Sequence, residues 1–187
     1  EMTEHDDHDV RVRATDCTLG IAAAWNDALV AGRPGALSVV SDDGDRTIAS
    51  PLHLERVAAS PRGPFVAGAA EGELLVWQLD DVLPRHLSDD SPTGAGFATP
   101  DAVIASFDGA PAQWIDLRTN EATPLAELPP IAQVVPSPDG QRAVVIDTSH
   151  HARIVAQLGD PTELPGEVTA AQFLDARRLA LATASGV

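Results

Sequence analysis

The sequence contains no lysine and no tyrosine, a single cysteine and a single methionine, and only 4% of its 187 residues are aromatic. Each absence excludes something. Without lysine there is no Schiff-base or Ser-Lys chemistry, and all 12 basic residues are arginines, set against 28 acidic ones for a formal charge of −16. A chain so poor in cations cannot displace counterions from a phosphate backbone or an anionic lipid surface, which argues against nucleic-acid and membrane-surface roles. One cysteine, Cys17, excludes an internal disulfide, fits a reducing compartment and reads as a small packing residue. No run of about 18 apolar residues is present to span a bilayer. The opening residues EMTEHDDHDV are acidic, the opposite of a secretory signal, so a cytoplasmic location is expected. No Gly-x-Ser-x-Gly elbow, Gly-rich phosphate loop or paired-cysteine metal motif occurs. The sequence is nonetheless 44% hydrophobic, an ordinary globular value, and with few aromatics its core must be built from Ala, Val and Leu.

What is present is a repeat. The stretch from Val57 to Leu79, VAASPRGPFVAGAAEGELLVWQL, reads as strand, turn, strand, turn, strand. Its first turn, Ser60-Pro61-Arg62-Gly63, has counterparts beginning at Trp25, Thr99, Ser137 and Leu174, in steps of 35, 39, 38 and 37 residues. Its second turn recurs independently: Gly35, Gly72 and Gly109 are 37 apart, and Gly186 lies 77 beyond Gly109. Short apolar runs flank every first turn, and a third run follows the second turn, as Ala36 to Val40, Glu73 to Trp77 and Ala110 to Ile115. Fourth strands are expected around Thr47-Ile48-Ala49, Arg85-His86-Leu87 and Ala122 to Leu125, where nearby prolines suit an edge position. No segment shows a sustained 3.6-residue apolar stripe with caps, so no long helix is expected. The repeating unit is therefore a four-stranded antiparallel meander, and stacking such units radially would bury both faces of each, as in a β-propeller.

At this point the sequence resembles the WD-repeat β-propellers, with the related Tol-type propellers as a second resemblance. Ser137-Pro138-Asp139-Gly140 is the family's first turn in full, and Ser60-Pro61-Arg62-Gly63 nearly so. Trp77 follows Gly72 by five residues and Trp114 follows Gly109 by five, the family's usual offset. Departures are visible too: Gln78 follows Trp77, Ile115 intervenes between Trp114 and Asp116, Val40 stands where the first unit would have Trp, and the Gly-His opening is missing. The lysine-free, Ala/Pro/Gly/Arg-rich composition is similar to that of proteins from GC-rich bacteria. The expectation is an all-β propeller with about four complete blades and one partial blade over residues 10–187, after an acidic tail at 1–9. Val10 to Arg13 alternates as a half-exposed strand would, and would either close a small ring or leave further blades to lie outside the chain. The opening Glu1-Met2 and the last residues, Gly186-Val187 in an apparent turn, read as a fragment or processed piece of a larger protein.

Candidate chemistry is sparse. His5-Asp6-Asp7-His8-Asp9 has metal-ligand types but reads as a solvated tail, and the Asp42-Asp43-Gly44-Asp45 hairpin lacks calcium-loop spacing. Trp77 and Trp114 read as packing between blades. No catalytic residue, cofactor or metal site is expected. The candidate partner-binding loops are Trp25, Asp42, Asp43, Asp45, His150 and His151, the places where repeat copies depart from the common pattern. The functional expectation, supplied by the resemblance, is a non-catalytic interaction or sensing module of a bacterial multidomain protein, with a basic protein as its partner. Two alternatives stand beside it: a propeller hydrolase or lyase with carboxylates and histidines at a central channel, and a regulatory fragment of a proteolytically processed protein.

Overall fold

Runs of four to eight residues cut by Pro, Asp and Gly are too short for helices and become strands. The computed structural model describes residues 22–25, 28–33, 35–41, 44–50, 54–60, 64–70, 72–78, 83–125 and 128–184. Sheet I comprises β1 (Ala22–Trp25), β2 (Ala28–Arg33), β3 (Ala36–Ser41) and β4 (Gly44–Ala49). Sheet II comprises β5 (Leu54–Ala59), β6 (Phe65–Ala70), β7 (Glu73–Gln78) and β8 (Arg85–Ser88). Sheet III comprises β9 (Pro92–Thr99), β10 (Ala102–Phe107), β11 (Ala110–Asp116) and β12 (Ala122–Pro124). Sheet IV comprises β13 (Ile131–Pro136), β14 (Arg142–Asp147), β15 (Ala152–Ala156) and β16 (Thr162–Glu163), and β17 (Val168–Phe173) and β18 (Leu179–Thr183) form sheet V. Strands pair antiparallel in chain order within every sheet, so each four-stranded unit is a meander. The described residues include no helix long and apolar enough to cross a membrane.

The turn glycines account for the register. Gly35, Gly72 and Gly109 have φ of 71°, 90° and 70°, the conformation that the second central position of a two-residue hairpin turn requires. The expected first turns at Thr99, Ser137 and Leu174 and the expected fourth strands also fall where the sequence places them, while residues 26–27 and 61–63 of the other two first turns lie outside the described residues. The fourth strands are the weakest, shrinking to three residues in β12 and two in β16. Val10 to Arg13, Cys17, the 1–9 tail and Gly186 lie outside the described residues.

Consecutive sheets pack face to face. Leu37, Val39 and Ile48 of sheet I meet Leu54, Val66, Leu75 and Trp77 of sheet II. The opposite face of sheet II, with Phe65, Ala67, Leu74 and Val76, meets Phe97, Val103, Phe107 and Ile115 of sheet III. Trp114, Ile104 and Ala112 then face Ile131, Ala143, Val145 and Val155 of sheet IV. Val144 and Ile146 complete the series against Val168, Phe173, Leu179 and Leu181 of sheet V. Strands buried on both faces cannot alternate polar and apolar residues, which is why β10 is buried at every position.

Sheets III and IV make the closest approach. A Cβ on Gly94 of β9 would lie 1.9 Å from the carbonyl oxygen of Ile131 in β13, and one on Gly96 would lie 2.7 Å from Cβ of Val134. The gap is bridged by Ser106, buried in β10, whose Oγ accepts from the Ile131 N–H at 3.0 Å and from Thr93 Oγ1 at 2.9 Å and donates to the Gly94 carbonyl. A side chain at position 94 must therefore push two backbones apart. Gly94→Ala is expected to cost about 3 kcal/mol or more, whereas Gly35→Ala, whose Cβ meets nothing within 4 Å, is expected to cost only the left-handed penalty of about 1 kcal/mol. Urea unfolding of both variants measures the difference, and equal losses would contradict this account.

Candidate functional site

Each meander has two unlike ends. Connections between first and second strands and between third and fourth strands emerge at one end, here the turn end. The second-to-third connection and the link to the next sheet emerge at the other, the linker end. Hydrogen bonds align these ends from sheet to sheet. At the turn end Ser60 Oγ donates to the Pro100 carbonyl at 2.8 Å, Arg85 Nη1 to the Leu117 carbonyl at 2.9 Å, and the Arg142 guanidinium to the Ala176 carbonyl. At the linker end the Val168 N–H donates to the His150 carbonyl at 2.7 Å.

The ends differ in chemistry. Exposed Leu83, Leu158 and Leu174 all sit in turn-end connections, which carry Arg118, Arg177 and Arg178 together with the carboxylates of Asp101, Glu121, Asp139, Asp160 and Asp175. The described linker-end connections carry Asp89, Asp90, Asp108 and Glu167, all exposed, and no arginine. Asp89 is the one of these with a near partner, His86 Nε2 at 3.3 Å.

A cleft of about 470 Å³ opens at the linker end between sheets III and IV, lined by Gly109, Ala110, Pro111, Leu128, Pro129 and Arg153. Its wall on sheet III follows from a bulge. Phe107 pairs with Ala110 but Ala105 pairs with Gln113, so Pro111 and Ala112 of β11 stand opposite the single residue Ser106. A bulge is one of the few places inside a sheet where a proline is tolerated, and one extra residue flips every side chain beyond it to the other face. Trp77 and Trp114 share the five-residue offset from a turn glycine, yet Trp77 packs back onto sheet I and Trp114 forward onto sheet IV. Both tryptophans pack between sheets, as expected, but on opposite faces.

On sheet IV the cleft is backed by a buried carboxylate. Asp147 ends β14, and its Oδ1 accepts from the backbone N–H groups of Ser149 at 2.8 Å and His151 at 2.9 Å, which closes the 148–151 loop. In that loop His150 takes the place of the turn glycine of other units and adopts φ of 64°. Asp147 Oδ2 is buried without a hydrogen-bond partner. His151 Nδ1 stands 3.6 Å from it and Arg153 Nη1 4.0 Å, both too far for a hydrogen bond. Arg153 instead donates through Nη2 to Glu163 Oε1 at 3.0 Å. An exposed pair of this kind is worth about 0–1 kcal/mol, while a buried unpartnered oxygen costs about 1–3 kcal/mol. The arginine is thus held by the weaker of its two carboxylates.

The sequence candidates divide between the two ends. His150 and His151 belong to the linker end, and His151 touches the Asp147 cluster. Trp25 closes β1 and Asp45 is second in β4, both next to turn-end connections of sheet I. Asp42 and Asp43 lie outside the described residues. Of the four described candidates, His150 and His151 lie between strands of sheet IV, and Trp25 and Asp45 lie in strands of sheet I. Asp147, Arg153, Glu163 and Pro111 were not among them, and the one available signal was a proline inside an otherwise regular third strand. Among the described residues no three His, Cys, Asp or Glu side chains are placed to hold a metal ion.

Two turn-end carboxylates are electrostatically distinctive. Asp139 is held below the ordinary aspartate value of 3.8, mainly by the Ser137 hydroxyl and then by the Gln141 N–H. Asp175 is lowered in the same direction, first by the Arg177 N–H and then by the Arg178 side chain. A lowered folded-state value means that the stabilisation is present above the unfolded value and is lost as pH falls through the folded one. The Gln141 and Arg177 amide resonances are accordingly expected to titrate with midpoints below 3.8; midpoints at or above it would contradict these bonds. For the 148–151 loop, His150→Gly is expected to raise stability by about 0.5 kcal/mol and His150→Val to lower it by about 1–2 kcal/mol, because a β-branched residue fits the left-handed region worst. Denaturant midpoints of the two variants give the test. In comparison with known proteins, the chain matches no family model and no curated protein.

Proposed function

We propose that the chain is a non-catalytic interaction module of the β-propeller type, presenting the connections at one end of its sheets to a protein partner. The observation that carries this reading is the serial face-to-face packing of antiparallel meanders at a period near 37 residues. Such packing spends nearly all large apolar side chains on holding sheets together and leaves function to the connections at the two ends. The resemblance to WD-repeat propellers supports the same role, and the charge of −16 favours a basic partner whose association weakens with salt.

The absence of lysine suggests the experiment. Amine-directed crosslinkers find no side chain to attack here, whereas carbodiimide activates the carboxylates and couples them to lysines of a bound protein. Carbodiimide treatment of native cells expressing the tagged chain is expected to recover one partner in stoichiometric amount, joined through carboxylates of a single end. Recovery of the chain alone, together with hydrolysis or elimination of a small-molecule substrate by the purified chain, would overturn the proposal.

A further inference from the structure

Arg153 is stretched between two carboxylates of opposite character. Its side chain is 21% exposed; Asp147, at 3%, lies behind it and Glu163, at 75%, in front. Its Nη2 reaches Glu163 at 3.0 Å, which leaves Nη1 4.0 Å from Asp147 Oδ2, an oxygen that accepts no hydrogen bond and has His151 Nδ1 at 3.6 Å as its other near neighbour. A movement of about 1 Å inward would complete the buried hydrogen bond. The contact that holds the guanidinium on the outer side is the one to Glu163. Any group that takes Glu163 away releases Arg153 toward Asp147, and the group that takes an exposed carboxylate is a cation.

The surroundings select the same ligand. Asp108 is adjacent to Gly109 in the cleft lining, is exposed, and forms no ion pair among the described residues. The other described connections of this end add Asp89, Asp90 and Glu167 and contribute no arginine. Pro111, Leu128 and Pro129 provide apolar wall along which the methylene stem of an arginine or lysine can lie while its head stays with the carboxylates. The geometry points to this cleft as the docking site for an arginine- or lysine-bearing segment of a partner protein. The incoming cation pairs with Glu163 and Asp108, and Arg153 moves onto Asp147. The inference rests on the interaction reading above and gives it a place and a mechanism: the partner's charge replaces Arg153 at Glu163, and the buried pair that then forms favours the bound state.

A fluorescently labelled short peptide of alternating arginine and glycine, titrated into the full chain at low salt, tests this. Saturable binding that weakens as salt rises is expected, with a shift of the Arg153 Nε–H resonance during the titration. Glu163→Gln should weaken binding about five-fold and, in the free protein, already move the Arg153 resonance toward its bound position. Asp108→Asn should weaken binding by a similar factor, and Asp160→Asn, in the turn-end connection of the same sheet, should leave it unchanged. Absence of binding at low salt, an unmoved Arg153 resonance, or equal loss from Asp160→Asn would each overturn the assignment. If the carbodiimide-coupled partner is still recovered with Glu163→Gln and Asp108→Asn in place, the cleft is wrong and the interaction role stands. If no partner is recovered from the unaltered chain either, the interaction reading itself falls.

Discussion

A four-stranded meander has two faces, and among the described residues no helix covers either of them, so every interior sheet must be apolar on both sides and must find a sheet on each. That requirement explains the composition. Ala is the commonest residue and Leu and Val follow among the apolar ones, because side chains from two facing sheets share one layer, and glycine appears where the inner strands approach most closely. The limit is reached in β9, where Gly94 lies against the backbone of Ile131 and Gly96 against the side chain of Val134, with room for neither to carry a Cβ. Ser106 survives there because its hydroxyl supplies an acceptor for the Ile131 N–H, a donor the neighbouring sheet would otherwise bury unpaired. Close approach and a polar bridge are one solution to one constraint.

The same constraint gives the bulge at Pro111 its consequence. In sheet II the third strand is regular, and its Trp77 turns back onto sheet I over Gly68, whose missing side chain makes room for the indole ring. In sheet III one additional residue reverses the parity, and Trp114 turns forward onto sheet IV. The ring is buried between sheets III and IV, while Pro111 is left exposed in the cleft lining. The linker-end cleft is thus a by-product of packing: the residue that reverses the tryptophan also forms its wall.

Local features were the legible ones. Turn glycines at a constant spacing, Ser-Pro and Pro-Asp turns, and short apolar runs are decided by backbone conformation within four or five residues, and strands such as β6, β7, β10 and β11 fall where those signals place them. The face on which a side chain lands was not legible, because it depends on register, and one bulge makes an identical offset mean opposite things at Trp77 and Trp114. The grouping of Asp147, Arg153 and Glu163 was hidden for the same reason. They lie on three successive strands, and whether they meet depends on pairings such as Arg153 with Glu163, which no local pattern announces. His150 stood out as a departure from the turn glycine; its backbone conformation follows the glycine all the same. The buried aspartate three residues earlier, which closes that loop, carried no such signal.

The loop and the arginine are coupled through that aspartate. Oδ1 of Asp147 is fully used in holding the 148–151 loop, and its carbonyl also accepts from the His150 N–H at 3.1 Å. Only Oδ2 remains to respond to a change outside. Through Oδ1 the same carboxylate holds the loop whose His150 carbonyl receives the Val168 N–H of the next sheet. The turn end is tied separately, through Arg142 and the Ala176 carbonyl. Sheets IV and V are thus tied at both ends, by the Val168 N–H on the His150 carbonyl at the linker end and by the Arg142 guanidinium on the Ala176 carbonyl at the turn end.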